Sequence, residues 1–206
     1  MKSRIGVIDL EVNNINSIIN ISKKIGYDVR VINKSNEIKK FDKIILPGIG
    51  NFDEVISICK QKGIDSELNE YAIIREKDIL GICLGMQLMT NESEEGKLMG
   101  FGWINASCKK FSTTNDFSSV HMGWNSISKK SINSLLLKKI NDYSRFYFVH
   151  SYFVNVEDPR IICNYSTYNK QNFVSSFEHN NINGVQFHPE KSNFHGLNLL
   201  KSFYEK

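Results

Sequence analysis

Apolar and polar positions along the first half of the chain switch between two periods. "RIGVID" (Arg4 to Asp9), "DVRVIN" (Asp28 to Asn33), "KIILPG" (Lys43 to Gly48) and "DILGIC" (Asp78 to Cys83) are short apolar runs rich in Ile and Val. Such runs read as strands covered on both faces, the pattern of a parallel sheet. Between them the apolar residues fall at helical spacing. Ile15, Ile18, Ile19 and Ile25 mark one helix face, with Asn13 or Asn14 as N-cap and Gly26 as stop. Helical stretches run from about Phe52 to Arg75 with a break near Gly63, and "LGMQLMT" opens another helix directly after Cys83.

The second half carries short β-like runs with few helices between them: "WINASCKKF", "WNSIS", "RFYFVHSYFV", "RIICNY", "FVSSFE" and "INGVQF". A closing helix spans roughly Asn193 to Tyr204. There is no repeat, low-complexity block or Pro/Gly/Ser-rich linker. The expectation is a single domain over residues 1–206. Its fold class is α/β, a mostly parallel central sheet flanked by helices and extended by antiparallel strands.

Composition narrows the function classes. The 206 residues are 41% hydrophobic and 23% charged, the balance of an ordinary globular protein. The net charge of +4 comes from lysines spread along the chain, and no basic block is interleaved with aromatics. Nucleic acid is therefore not an expected partner. The apolar run at the N-terminus is short and contains Asp9, so neither a signal peptide nor a membrane span is expected. Four cysteines (Cys59, Cys83, Cys108, Cys163) are widely separated and form no C-x-x-C pair. Free thiols in a reducing cytoplasm fit this pattern, and no His/Cys cluster has metal-ligand spacing.

Chemistry concentrates at three strand ends. "GICLG" (Gly81 to Gly85) places Cys83 between a strand and a helix, the thiol counterpart of a nucleophile elbow. A helix start favours a thiolate there and aims the Leu84 N–H at an oxyanion formed beside the sulfur. A lone cysteine in an apolar run is ordinarily a structural residue. The second stretch, "GVQFHPEKS" (Gly184 to Ser192), changes that reading. His188 and Glu190 lie two apart after a strand, so a carboxylate can orient an imidazole that faces the thiol. The third, "LPGIGNF" (Leu46 to Phe52), is a glycine-rich loop at the same sheet edge and lacks the G-K-[ST] ending of a phosphate loop. Its N–H groups could complete an oxyanion hole. Of the other residues, His121 and Trp124 read as packing, His179 and His195 as surface, and Cys59, Cys108 and Cys163 as structural.

In this order the three motifs resemble the class I glutamine amidotransferases, the Cys–His–Glu triad glutaminases. With "SEEG" (Ser93 to Gly96), "HMGWN" (His121 to Asn125) and "FVHSYF" (Phe148 to Phe153), the whole chain resembles the glutaminase subunit of imidazole glycerol phosphate synthase. The resemblance implies a flavodoxin-like sheet, with Cys83 as nucleophile, His188 as base and Glu190 orienting the base. It implies oxyanion donors from Ile49, Gly50 and Leu84, and a glutamine pocket including Gln87, His150 and Ser151. It also implies a heterodimer with a (β/α)₈-barrel synthase subunit, met by Asn14, Tyr147 and Lys191, and no organic cofactor. Two stretches depart from the family. The first loop reads "DLEVNN" (Asp9 to Asn14) where Asp-Tyr-Gly-x-Gly-Asn is usual, and Val120 replaces the Pro before HMGWN. These leave open a paralogous glutaminase feeding another synthase, such as one that amidates a surface sugar. A thiol hydrolase on a related fold and an inactive partner-binding module are further alternatives.

Overall fold

The computed structural model describes residues 3–11, 15–112, 118–129 and 134–206. The first half runs β1 (Ile5–Ile8), α1 (Ile15–Lys24), β2 (Val29–Ile32), β3 (Lys43–Gly48), α2 (Phe52–Gln61), α3 (Ile64–Asn69), β4 (Asp78–Cys83) and α4 (Leu84–Leu88). The second half begins with β5 (Glu92–Ser93), β6 (Ala106–Lys110), β7 (His121–Ser126), β8 (Ser128–Lys129) and β9 (Arg145–His150). It ends with β10 (Tyr152–Val156), β11 (Ile162–Tyr168), β12 (Gln171–His179), β13 (Ile182–Val185) and α5 (Asn193–Glu205).

One sheet of eight strands, ordered β2-β1-β3-β4-β13-β12-β11-β8, organises the described residues. Its first five strands pair in parallel and β12, β11 and β8 are added antiparallel, as the sequence pattern predicts. Numbered among themselves, the parallel strands follow the order 2-1-3-4-5, the doubly wound flavodoxin-like arrangement. Alternate side chains of each strand enter opposite cores. Ile44, Leu46 and Ile79 pack with α2 and α3 residues such as Val55 and Leu68, whereas Ile45, Leu80 and Ile82 pack with Ile18 of α1 and Leu199 of α5. Two smaller sheets, β10-β6-β5 and β7-β9, flank the large one.

Several boundaries differ from the sequence reading. Residues 70–74 form a π-helical turn after α3. The helix after Cys83 is short because Thr90 captures the Gln87 carbonyl through its N–H (3.0 Å) and Oγ1 (2.8 Å), turning the chain toward β5. The candidate N-caps Asn13 and Asn14 lie outside the described residues. No helix among the described residues is long and apolar enough to cross a membrane.

Candidate active site

The register of three neighbouring parallel strands assembles the site. Gly48 pairs with Cys83 across β3 and β4, and Ile82 pairs with Val185 across β4 and β13. The "PGIG" loop, Cys83 and the His188 segment therefore leave the sheet side by side at its carboxyl edge, where open α/β sheets bind ligands. Cys83 has φ 55° and ψ −112°, a conformation costly for a residue with a Cβ. Close packing holds it there. A Cβ on Gly85 would lie 1.8 Å from the Leu46 carbonyl oxygen, so only glycine lets the elbow settle this closely onto β3.

His188 is held from both sides. Its N–H donates to Tyr147 O at 2.8 Å, and its carbonyl accepts from Ser192 Oγ at 2.6 Å. Ser192 Oγ also accepts from Tyr147 N–H, which ties β9 to the His188 segment. His188 Nδ1 lies 2.7 Å from Glu190 Oε1, both side chains being buried. His188 Nε2 has no hydrogen-bond partner among the described residues. Burial opposes a charged imidazole, but interaction with Cys83 and then with Glu190 raises His188 to about 10.

A cavity of about 300 Å³ opens beside the sulfur, lined by Ile49, Gly50, Leu84, Gln87, His150 and Ser151 among others. The structure thus brings together each residue expected there. A larger cavity of about 420 Å³ lies at the far end of the strands, beside Arg4, Tyr27 and Phe41, and is lined by none of Cys83, His188 and Glu190. The N–H groups of Ile49 and Gly50 donate to no acceptor among the described residues. Glu95, which the sequence reading did not single out, also lines the site cavity. It accepts from Phe52 N–H at 2.9 Å, and burial raises its carboxyl above the ordinary range.

Gln186 and Asn125 were not singled out by the sequence reading either. Gln87 Nε2 donates to Tyr152 O (2.9 Å) and to Gln186 Oε1 (3.1 Å), while Gln186 Nε2 approaches Cys83 Sγ at 3.8 Å. On the other side of the pocket, His150 Nδ1 faces Tyr152 O at 2.8 Å and its Nε2 faces His121 Nδ1 at 3.1 Å. His121 Nε2 in turn faces Asn125 Nδ2 at 3.2 Å. A carbonyl only accepts, so His150 donates through Nδ1, His121 donates to His150, and Asn125 donates to His121. Burial lowers His121 to about 4 and His150 to about 3, keeping the chain neutral. His121 is thus a buried packing residue, as expected, with a polar role besides.

Trp124 departs from the packing expectation. It is 42% exposed on β7, beside Met122 at 65%. Alternation along β7 turns Met122 and Trp124 outward while His121 turns in. The Trp124 ring meets Tyr147 edge-on with centroids 6.2 Å apart, and Lys191 Nζ lies 5.8 Å from the Tyr147 ring centre. Tyr147 and Lys191 are therefore neighbours beside the triad. Asn14, the third expected interface residue, lies outside the described residues. Among the described residues no group of His, Cys, Asp and Glu is placed to hold a metal ion.

A strained cysteine elbow and a His–Glu pair at adjacent strand ends form the candidate centre of an α/β enzyme. Comparison with known proteins makes this specific. The family described as "Glutamine amidotransferase class-I" matches residues 6–206, and the chain belongs to that family. Imidazole glycerol phosphate synthase subunit HisH 2 of Methanococcus maripaludis is 44% identical over 98% of this chain and 99% of its own length. The HisH 2 subunit of Pseudomonas aeruginosa is 39% identical over 97% and 98%, and HisH of Leptospira borgpetersenii 37% over the same shares. Among solved structures, PurLQS from Thermotoga maritima superposes with a TM-score of 0.77 at 16% identity, covering 100% of this chain and 99% of that one. The glutaminase domain of Trypanosoma brucei CTPS gives 0.62 at 17%, covering 99% and 94%. These two likenesses concern the fold alone.

Proposed function

We propose that residues 1–206 form one glutamine amidotransferase domain that hydrolyses glutamine to glutamate and ammonia. The ammonia passes to a (β/α)₈-barrel synthase subunit that makes imidazole glycerol phosphate and AICAR in histidine biosynthesis, in the cytoplasm. The observation that carries the chemistry is the adjacency of Cys83, ending β4, to the His188–Glu190 pair just beyond β13. In this reading Cys83 thiolate attacks the side-chain amide carbon of glutamine. The oxyanion is held by N–H groups of Leu84 and the Ile49–Gly50 loop, each donor worth about 3 kcal/mol. His188 gives its Nε2 proton to the departing ammonia, and Glu190 keeps the ring oriented. The neutral imidazole then takes a proton from water, which hydrolyses the thioester. Acid–base catalysis of this kind contributes about 10²–10⁴-fold.

The pocket suits a free amino acid. Both Gln87 N–H groups are used inside the protein, leaving its Oε1 as an acceptor for substrate. Glu95 supplies the carboxylate for an α-ammonium. Met122, Trp124, Tyr147 and Lys191 form the face that docks the synthase. Cys83→Ser tests the core of the proposal: it should remove glutamate release from glutamine while thermal unfolding stays near the parent. Activity within tenfold of the parent would take Cys83 out of the mechanism.

One observation favours a second reading, in which the same glutaminase feeds another synthase. Where the family has glycine, Glu11 holds φ 61° and pairs with Lys62 at 2.9 Å, so the first loop carries a different surface. Co-purification of the barrel subunit distinguishes the two.

A further inference from the structure

We infer that Gln186 is a further catalytic residue, one that donates a hydrogen bond from Nε2 to the Cys83 sulfur and holds it in position for attack. The inference rests on the assignment of Cys83 as nucleophile. Gln186 is completely buried, a setting in which a glutamine amide is costly unless both its ends are engaged. Its two ends are fixed by their neighbours. Oε1 accepts from Gln87 Nε2 at 3.1 Å, so the amide cannot flip, and Nε2 is left facing Cys83 Sγ at 3.8 Å. Gln87 is itself fixed, since its other N–H goes to Tyr152 O, a carbonyl that can only accept. The polarity of the row Tyr152–Gln87–Gln186–Cys83 is therefore determined from its far end.

The position suits the chemistry. In the proposed mechanism His188 would bond the sulfur from just beyond β13, and Gln186 supplies a second donor from two residues earlier on the same segment. A thiolate accepts both bonds; a thioester sulfur is a poorer acceptor. The Gln186 bond therefore favours the sulfur as the charged nucleophile. The sulfur also faces Val149 O at 3.8 Å, a carbonyl that repels a thiolate and makes a compensating donor necessary.

Alkylation of the full-length chain by iodoacetamide tests this without a partner, because the thiolate itself displaces iodide. Mapping by mass spectrometry confines the readout to Cys83, the other cysteines being buried and away from the cavity. Gln186→Met removes the donor at similar size. Gln87→Met/Gln186→Met removes it without orphaning the Gln87 amide, which keeps the test alive should the single variant fold poorly. Both should lower the Cys83 alkylation rate at pH 7 by about tenfold, an effect the size of one pH unit, with the parent rate regained at high pH where every thiol is ionised. Superimposable rate–pH profiles for parent and both folded variants would overturn the inference and leave Cys83 as nucleophile. A parent Cys83 no faster at pH 7 than an unfolded cysteine would overturn the underlying assignment instead.

Discussion

His121 Nδ1 and His150 Nε2 lie 3.1 Å apart in the wall behind the pocket, and the bond between them is directed from His121 to His150. Both imidazoles are neutral because burial lowers them from an ordinary value of 6.5 to about 4 and about 3. The unfolded chain takes up protons on both rings as pH falls below 6.5, whereas the folded chain does not until pH approaches 4. Stability from this pair is therefore complete above 6.5 and lost on acidification, with a slope of up to about 1.4 kcal/mol per pH unit for each ring. Denaturant unfolding at pH 7, 6 and 5 should show the loss. His121→Asn keeps a donor toward His150 and removes one titrating ring, so its slope should be shallower by about that amount. Equal slopes would mean that His121 is not held neutral.

The contrast between triad and wall shows what a linear sequence discloses. Cys83, and His188 with Glu190, sit in local patterns whose spacing alone implies a thiol and an oriented base. The parallel strands were equally legible, because burial on both faces forces continuous apolar runs such as "KIILPG". Gln186 and Glu95 were not. Gln186 meets Gln87 across 99 positions, and Glu95 meets the Phe52 N–H across 43, pairings that depend on sheet order and loop path. Trp124 was misplaced for another reason. A strand period fixes which residues share a face but not which face meets solvent, and β7 belongs to a two-stranded sheet.

Glu95→Gln should raise KM for glutamine by about 10- to 100-fold, the worth of a hydrogen bond to a charged group, with a smaller change in kcat. The carboxylate lies in the cavity but is not among the groups bonded to the sulfur. A charged partner for an α-ammonium acts alike in ground and transition states, which places its effect on KM. Steady-state glutamate release in the presence of the synthase measures both constants. An unchanged KM would remove Glu95 from substrate binding.

Gly85→Ala should cost at least the 1–3 kcal/mol typical of overpacking, roughly, since the new Cβ meets Leu46 O at 1.8 Å. Leu46 belongs to the central strand β3, paired on both edges, and cannot retreat without disturbing β1 or β4. Thermal unfolding should show the loss, and Cys83 alkylation should slow with it because the elbow must move. A variant of parent stability would show that the turn has slack.

Lys191→Ala should uncouple ammonia release from synthesis more than it changes folding. The ammonium lies over the Tyr147 ring, one residue beyond Glu190, on the face proposed to dock the synthase. Glutamate formed per acceptor product should rise above the parent ratio, with thermal unfolding nearly unchanged. An unaltered ratio would return Lys191 to the role of a solvated surface residue.

The isolated chain should be a poor glutaminase that its partner switches on. A fully active site would hydrolyse free glutamine and release ammonia to solvent, where it becomes ammonium and is no longer nucleophilic. Coupling therefore requires that one component stay incomplete until the acceptor is in place. The triad is not that component, because His188 and Glu190 are buried and joined at 2.7 Å. The "PGIG" loop is. Gly50 has φ 101°, open space surrounds the position of its missing Cβ, and its N–H has no fixed acceptor among the described residues. A peptide with that freedom can turn its N–H into or out of the oxyanion site without moving Cys83. One misdirected donor costs about 3 kcal/mol, on the order of a hundredfold in rate. Ile49, 44% exposed beside the pocket, gives a docked partner a handle on that peptide. Partner binding need only favour the inward state by a similar free energy. Glutamine turnover measured for the chain alone, with synthase, and with synthase plus acceptor should rise in that order. Gly50→Ala, which strains the positive φ, should compress the range. Equal turnover in all three conditions would show that the loop is complete without a partner.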